Sequence, residues 1–286
     1  MTADLDDLLA SGPLPPIDGD KKERGGALVV AGDLGCPGAA ILAATAALRA
    51  GAGRVQIVTH PALATGIGIA VPETLTIGWD GQGAPDPELA RRAREAAAVL
   101  IGPGLGDRAV DTARSIAQLV PRNTPVLLDA GSLPAAPDIR DHPLIVLPNT
   151  DEAHALADAL GLDDRRPVQL ATDLARRLTA VVAVRGPMTF LSDGQQAWQT
   201  AGHAALGTAG SGDVLTGLVT GLAARGLEPL SAAAWAIAIH GQAGSHLGGP
   251  EPRTGYLARD LLEALHAAVD QINLRIGSDE RRARLA

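Results

Sequence analysis

Short apolar runs alternate with longer stretches of helical spacing along most of this chain. Residues 27–30 read as a buried strand ending at Gly32. Residues 38–50 follow as a helix, stopped by Gly51 and Gly53, and 54–59 return as a strand. The pattern then repeats. Helix is expected at 87–97, 107–119, 152–160 and 173–178, and strand at 99–101, 126–129, 144–147 and 181–184. Residues 188–191 and 196–199 pair as a hairpin about Asp193-Gly194. Three helices complete the chain, at 212–224, 231–247 and 256–269.

Strands that are apolar throughout, each followed by a helix, predict an α/β fold. It has a mostly parallel central sheet with helices on both faces. Ligands in such folds bind beyond the carboxyl ends of the strands. The loops at Gly32, Gly102–Gly106, Asp129 and 148–152 all lie at such ends, so they are expected to share one cleft. Residues 1–20, rich in proline and glycine, read as an N-terminal arm. Residues 21–275 form one domain without internal repeat or linker, and 276–286 are a charged tail expected to fray.

Composition narrows the classes of function. The chain has 286 residues, 46% of them apolar, enough for a sizeable core. Its net charge of −8 and absence of a basic block disfavour nucleic-acid binding, and five aromatics give no stacking platform. No run is long and apolar enough for a membrane span, and the acidic start lacks a secretory pattern. Cys36 is the single cysteine, which suits a reducing cytoplasm and is expected to be a small, at least partly buried thiol. Lys21 and Lys22 are the only lysines, so no P-loop Gly-Lys-Ser/Thr exists. A nucleotide here must be held by backbone amides and arginine.

The segment Gly207-Thr208-Ala209-Gly210-Ser211-Gly212-Asp213-Val214-Leu215-Thr216-Gly217 carries the strongest chemical signal. A glycine-dense turn opening into a helix leaves N–H groups facing outward, a ready anion site. Asp213 stands where an anion would sit. It either caps the helix or acts on a group bound beside a phosphate. Gly102-Pro103-Gly104-Leu105-Gly106 is either a tight β–α turn or a backbone surface for a flat or phosphorylated ligand. Asn149-Thr150-Asp151-Glu152 has the spacing of a capping box, and equally offers Asn149 and Glu152 to a hydrated Mg²⁺. Arg185, in Arg185-Gly186-Pro187-Met188-Thr189, is a phosphate clasp or a rim charge. Asp129 ends an apolar strand, where a carboxylate needs a partner or a wet cleft. His240 lies between small residues and reads as structural. The other histidines show no metal-ligand spacing.

Together these motifs resemble the ribokinase-like NAD(P)H-hydrate dehydratases. The resemblance runs from about Gly25 to about Leu247. It is carried by Ala31-Gly32, Cys36-Pro37-Gly38-Ala39-Ala40, Arg49-Ala50-Gly51-Ala52-Gly53, Val71-Pro72-Glu73, Ile101 to Gly106, Gly210 to Gly217, and His240-Gly241 with Ala243-Gly244. It implies a ribokinase-like fold and repair of hydrated NADH or NADPH. ADP or ATP would phosphorylate the ring hydroxyl, and loss of phosphate would restore the double bond. It implies Asp213 as the catalytic base, kept ionised by its helix terminus, and Gly210, Ser211 and Gly212 as amide donors to the phosphoryl group. Arg185, Gly186, Pro187, Met188 and Thr189 would line the nucleotide. Ala39, Gly104, Gly106, Asp129, Asn149 and Asp213 would face the hydrated cofactor. Mg²⁺, a separate epimerase acting on the same metabolite, and a homo-oligomer belong to the same expectation.

Three departures stand out. The family's Asp-Ala-Asp-Gly-Leu-Asn is here Asp129-Ala130-Gly131-Ser132-Leu133-Pro134. Its Thr-Pro-His-x-x-Glu is Leu147-Pro148-Asn149-Thr150-Asp151-Glu152, and its Lys-Gly is Arg185-Gly186. The Asn-x-x-Glu resembles a Mg²⁺/phosphate motif of the wider ribokinase superfamily. A small-molecule kinase, or a paralogue that binds nucleotide without turnover, therefore stands beside the dehydratase as an alternative.

Overall fold

The computed structural model describes residues 2–15, 19–249 and 255–283, with side chains as far as 276. The strands are β1 (Ala3–Asp4), β2 (Gly26–Val30), β3 (Arg54–Thr59), β4 (Leu75–Gly78), β5 (Ala98–Ile101), β6 (Val126–Leu128), β7 (Leu144–Val146), β8 (Ala180–Val184), β9 (Met188–Ser192) and β10 (Ala197–Ala201). They form one sheet in the order β1-β10-β9-β8-β7-β6-β5-β2-β3-β4. Pairing is parallel except at β8–β9 and β9–β10, as the hairpin requires.

The central strands are buried on both faces, and alternate residues enter two separate cores. Ala27, Val29, Leu100, Leu127, Ile145 and Ala183 join one. Leu28, Val30, Ile101, Leu128, Val146 and Val184 join the other. The first core lies under α1 (Leu5–Ser11), α2 (Gly38–Arg49), α8 (Ser211–Ala224), α9 (Pro229–Gly248) and α10 (Ala258–Ala283). The second lies under α4 (Pro87–Glu95), α5 (Ala109–Ala117), α6 (Thr150–Leu160) and α7 (Pro167–Leu178).

One contact positions the rest. At Gly217 of α8, an added Cβ would lie 2.2 Å from the Ala43 carbonyl oxygen and 2.7 Å from Ala46 Cβ. At Gly221 it would lie 2.5 Å from the Ala47 carbonyl oxygen. The two helices therefore meet backbone to backbone, which only glycine permits. The contact brings the N-terminal ends of α2 and α8 to the same end of the sheet.

Several expectations are corrected. The N-terminal arm is docked. β1 pairs with β10, Leu5 and Leu9 of α1 are buried, and Trp235 Nε1 donates to the Gly12 carbonyl at 2.7 Å. The helical spacing of Leu5, Leu8 and Leu9 outweighs the prolines that follow. Helix α3 (Ala64–Ala70) and edge strand β4 went unread because Gly66 and Gly68 interrupt the pattern. Helices α7 and α10 begin earlier or run further than their apolar cores indicated. α10 continues to Ala283 through the expected tail, whose last residues, 284–286, and side chains from 277 lie outside the described residues. Cys36 is exposed rather than buried, because it sits on the loop before α2.

Two substitutions test this packing. Gly217→Ala drives a methyl into the Ala43 carbonyl and should lower the unfolding free energy by about 2 kcal/mol or more in urea titration. Thr179, exposed at the end of α7, is a β-branched residue at φ 54°. Thr179→Gly relieves that strain and should raise stability by about 1 kcal/mol in the same titration.

Candidate active site

The carboxyl ends of β5 to β8 converge. Asp129 follows β6, Asn149 follows β7 and Arg185 follows β8. Asn149 and Arg185 are bridged across the sheet end, with Arg185 N–H donating to the Pro148 carbonyl at 2.9 Å. Across the opening stands the first turn of α8. Gly210 takes the left-handed conformation at φ 87°, which turns the chain from the glycine loop into the helix. Asp213 lies in that first turn and makes no capping hydrogen bond. The capping reading of Asp213 is therefore not what the structure shows.

The amide accounting is also sharper than expected. Ser211 N–H donates to the Thr208 carbonyl at 3.1 Å, and Val214 N–H to the Gly210 carbonyl at 3.2 Å. Ser211's amide is thus occupied by the turn that sets the helix start. Gly212 and Asp213 are left as first-turn amides without an intrahelical acceptor. The expected Gly210–Ser211–Gly212 trio loses only Ser211's amide by this correction, and that of Asp213 joins it.

Arg185 holds the centre. Its Nη2 donates to Asp129 Oδ1 at 3.0 Å and lies 3.6 Å from Glu152 Oε2. Its Nη1 lies across α8, since a Cβ on Gly212 would come within 2.5 Å of it. Its Nε is buried without a partner among the described residues. A guanidinium over a helix N-terminus sets two positive groups together, which disfavours the empty arrangement and favours an anion between them. Asp129, only 3% exposed, counters the charge from below.

These surroundings set the protonation. Burial pushes the Asp129 carboxyl up to about 6 against the pull of Arg185, with Glu152 and Asp213 adding to the rise. Burial likewise pushes Asp213 up to about 6, again against Arg185. Asp213 thus stays mostly ionised at neutral pH, as expected, but as a stronger base than a helix terminus alone would leave it. A carboxylate near 6 is a better base at neutral pH than an ordinary one. His240 is buried and pushed down to about 4, by burial first and Arg185 second, so its ring is neutral.

Asn149 and Glu152 form the capping box of α6. Asn149 Oδ1 accepts from Glu152 N–H at 2.9 Å, and Glu152 Oε2 accepts from Asn149 N–H at 2.8 Å. Among the described residues no group of three or more His, Cys, Asp or Glu side chains gathers to hold a metal.

A cleft of about 600 Å³ opens beside this cluster. Of the expected residues, Asn149, Arg185, Gly186, Pro187, Thr189, Ser211 and Gly212 line it. Met188 does not, and its side chain is 37% exposed. Asp129, Gly210 and Asp213 border the Arg185 cluster rather than the cleft. Ala39 is buried under Gly104, whose φ of 68° brings it within van der Waals reach of Ala39 and the Cys36 carbonyl. Gly106 is open. Sequence reasoning missed the far wall, made by Thr200 to Ala204, Leu206, Thr208, Ile237 and His240. Only the position of 200–204 after the hairpin hinted at it.

The geometry defines an α/β protein with free first-turn amides, a guanidinium and a half-buried carboxylate gathered beside a cleft of about 600 Å³. A family model for NAD(P)H-hydrate dehydratase matches residues 27–267. An ADP-dependent (S)-NAD(P)H-hydrate dehydratase of Xanthomonas campestris is 37% identical over 92% of this chain and 94% of its own length. The ADP/ATP-dependent NAD(P)H-hydrate dehydratase of Bacillus subtilis, crystallised with ATP/Mg²⁺, superposes with a TM-score of 0.79 at 24% identity, over 95% of this chain and 99% of that one. Ribokinase of Thermotoga maritima superposes at 0.61 with 15% identity, over 86% and 99%. The fold is ribokinase-like, and the chain belongs to the NAD(P)H-hydrate dehydratase family.

The charge cluster makes a spectroscopic prediction. Carboxyl NMR should find Asp129 and Asp213 titrating near 6, and Arg185→Met should raise both further by removing the nearby cation. The sign for stability follows. Both carboxyls bind protons more tightly folded than unfolded, so they add stability as pH falls from above 6 toward 4. His240, depressed by burial, withdraws stability as pH falls from about 6.5 toward 4.

Proposed function

We propose that this chain restores hydrated NADH and NADPH to the intact cofactors, with ADP or ATP as phosphoryl donor. The observation that carries the reading is the half-buried, uncapped Asp213 beside the free first-turn amides and the Arg185 guanidinium. In the proposed sequence the nucleotide lies in the cleft against Arg185, Gly186, Pro187 and Thr189. Its terminal phosphoryl group sits at Gly212 and Asp213 N–H. Asp213 accepts the proton of the ring hydroxyl as that oxygen bonds to phosphorus and the bond to the nucleotide breaks. The ring C–O bond then breaks, the ring nitrogen's lone pair forming an iminium as phosphate departs, and loss of a proton from the adjacent ring carbon to water or the departing phosphate restores the double bond. A loose phosphoryl-transfer transition state asks for positioning and charge stabilisation above all.

The hydrate would lie on the side of Gly104, Gly106 and Asp213. Asp129 acts through Arg185 rather than on the substrate, given its burial. A hydrated Mg²⁺ fits a place between the nucleotide phosphates and the Asn149–Glu152 corner. Glu152 Oε1 is uncommitted there, and Asn149 borders the cleft. When bound, the ion would neutralise phosphate charge. The capping box gives these two residues a structural role as well, and the family match favours the dehydratase over a kinase. The same proposal assigns the protein to the cytoplasm, as a homo-oligomer working with a separate epimerase. No helix among the described residues is long and apolar enough to cross a membrane.

Incubation with hydrated NADH, Mg²⁺ and ADP or ATP should recover the absorbance of NADH. Asp213→Asn should lose at least about a hundredfold in kcat without a lowered unfolding transition, since Asp213 makes no cap and its desolvated charge costs stability above pH 6. Unimpaired turnover in that variant would refute the role. The wild-type kcat/KM should fall about tenfold per pH unit below 6, as Asp213 is protonated.

A further inference from the structure

His240 reaches from α9 to the first residue of α8, where its Nε2 lies 3.0 Å from Ser211 Oγ. Both residues are buried, at 6% and 3% exposure, and both line the cleft beside Gly212 and Gly241. The helix around it is apolar, with Ala236, Ile237, Ala238, Ile239 and Ala243 all buried. A buried ring needs a polar partner, and here that partner is the hydroxyl at the anion site.

Ser211 meets the cleft through this hydroxyl, because its amide is donated to Thr208. A hydroxyl carries one proton and two lone pairs. If it donates to His240, its lone pairs face the cleft and repel a phosphoryl oxygen. If the imidazole instead carries its proton on Nε2 and donates to Oγ, the hydroxyl proton turns toward the cleft. An anion there selects the second arrangement, and donors in series strengthen one another.

We propose that His240 is a positioning residue: it donates from Nε2 to Ser211 Oγ and thereby turns the Ser211 hydroxyl into a donor to a phosphoryl oxygen of the bound nucleotide. This rests on the reading of the cleft as a nucleotide site. The ring orients and does not transfer a proton, in keeping with its neutrality well below physiological pH.

The test is a double-mutant cycle on Ser211→Ala and His240→Leu, with His240→Gln as the conservative variant. Calorimetric Kd for ADP and ATP, kcat and KM in the recovery assay, and thermal unfolding are measured for each. Ser211→Ala and His240→Leu should each lose about tenfold or more in nucleotide affinity or kcat. The double variant should lose no more than either single one. His240→Gln, whose amide N–H reaches the same oxygen, should recover most of the loss. KM for the hydrate and the unfolding temperature of Ser211→Ala should stay at wild-type values. Wild-type behaviour of Ser211→Ala, or losses that multiply in the double variant, would overturn the proposal. If the wild type binds nucleotide without turning over hydrated NADH, the dehydratase reading fails while the Kd cycle still decides the role of His240. If it binds no nucleotide, both fail.

Discussion

The contact between α2 and α8 sets the geometry on which everything else depends. Helices normally keep 8–10 Å between axes because side chains stand between them. Gly217 and Gly221 remove that spacer, and Ala43, Ala46, Ala47 and Ala50 supply a matching smooth face. The first turn of α8 is then held at a fixed depth against the sheet. Its free amides, Asp213 and Ser211 arrive at the height of Arg185 with no adjustable element between them. The core makes the same point. The buried residues of α2 are all alanine, so there close backbone approach replaces bulky side chains.

Upon that frame rests a charge arrangement that is unfavourable in parts and favourable as a whole. Asp129 alone would be a buried carboxylate, and Arg185 alone a guanidinium facing a helix N-terminus. Paired at 3.0 Å they satisfy each other incompletely, since Arg185 Nε has no partner among the described residues. Three carboxylates, Asp129, Glu152 and Asp213, surround this one guanidinium beside the cleft, and their mutual repulsion adds to the rise at Asp129. Asp213 stands at the border of this cluster with its carboxyl raised toward neutrality by burial. The backbone contributes as well. Ala130, directly after Asp129, is held at φ 51°, a conformation that costs an L-residue about 1–2 kcal/mol. Strain of this kind is retained where surrounding structure fixes a functional side chain.

Much of this was legible in the residues. Strands β2 and β5 to β8 are apolar throughout, so their parallel pairing and two-sided burial followed from composition. The glycine loop before α8 was legible because its spacing has few other uses. The Asn149–Glu152 capping box was legible but ambiguous, since one pattern serves a cap and a cation equally well. What stayed hidden depends on approach between distant segments. That Ser211's amide is taken by Thr208, that His240 is Ser211's partner, and that Arg185 lies over Gly212 are facts about loops folded together. That Asp213 is a stronger base than its helix terminus suggests stayed hidden for the same reason. The helix dipole is local and visible in the sequence, whereas burial is contributed by residues far along the chain. The docked N-terminal segment was obscured by its prolines, although Leu5, Leu8 and Leu9 carried the signal.

The exposed Cys36 has a practical side. It is the chain's single thiol, and it sits on the loop before α2 whose carbonyl leans on Gly104, at the rim of the side where the hydrate is proposed to lie. A fluorophore or spin label attached there reports on this loop alone, with no competing thiol to remove by mutation. The molecule thus comes with a built-in place to observe whether the rim rearranges when the cleft is filled.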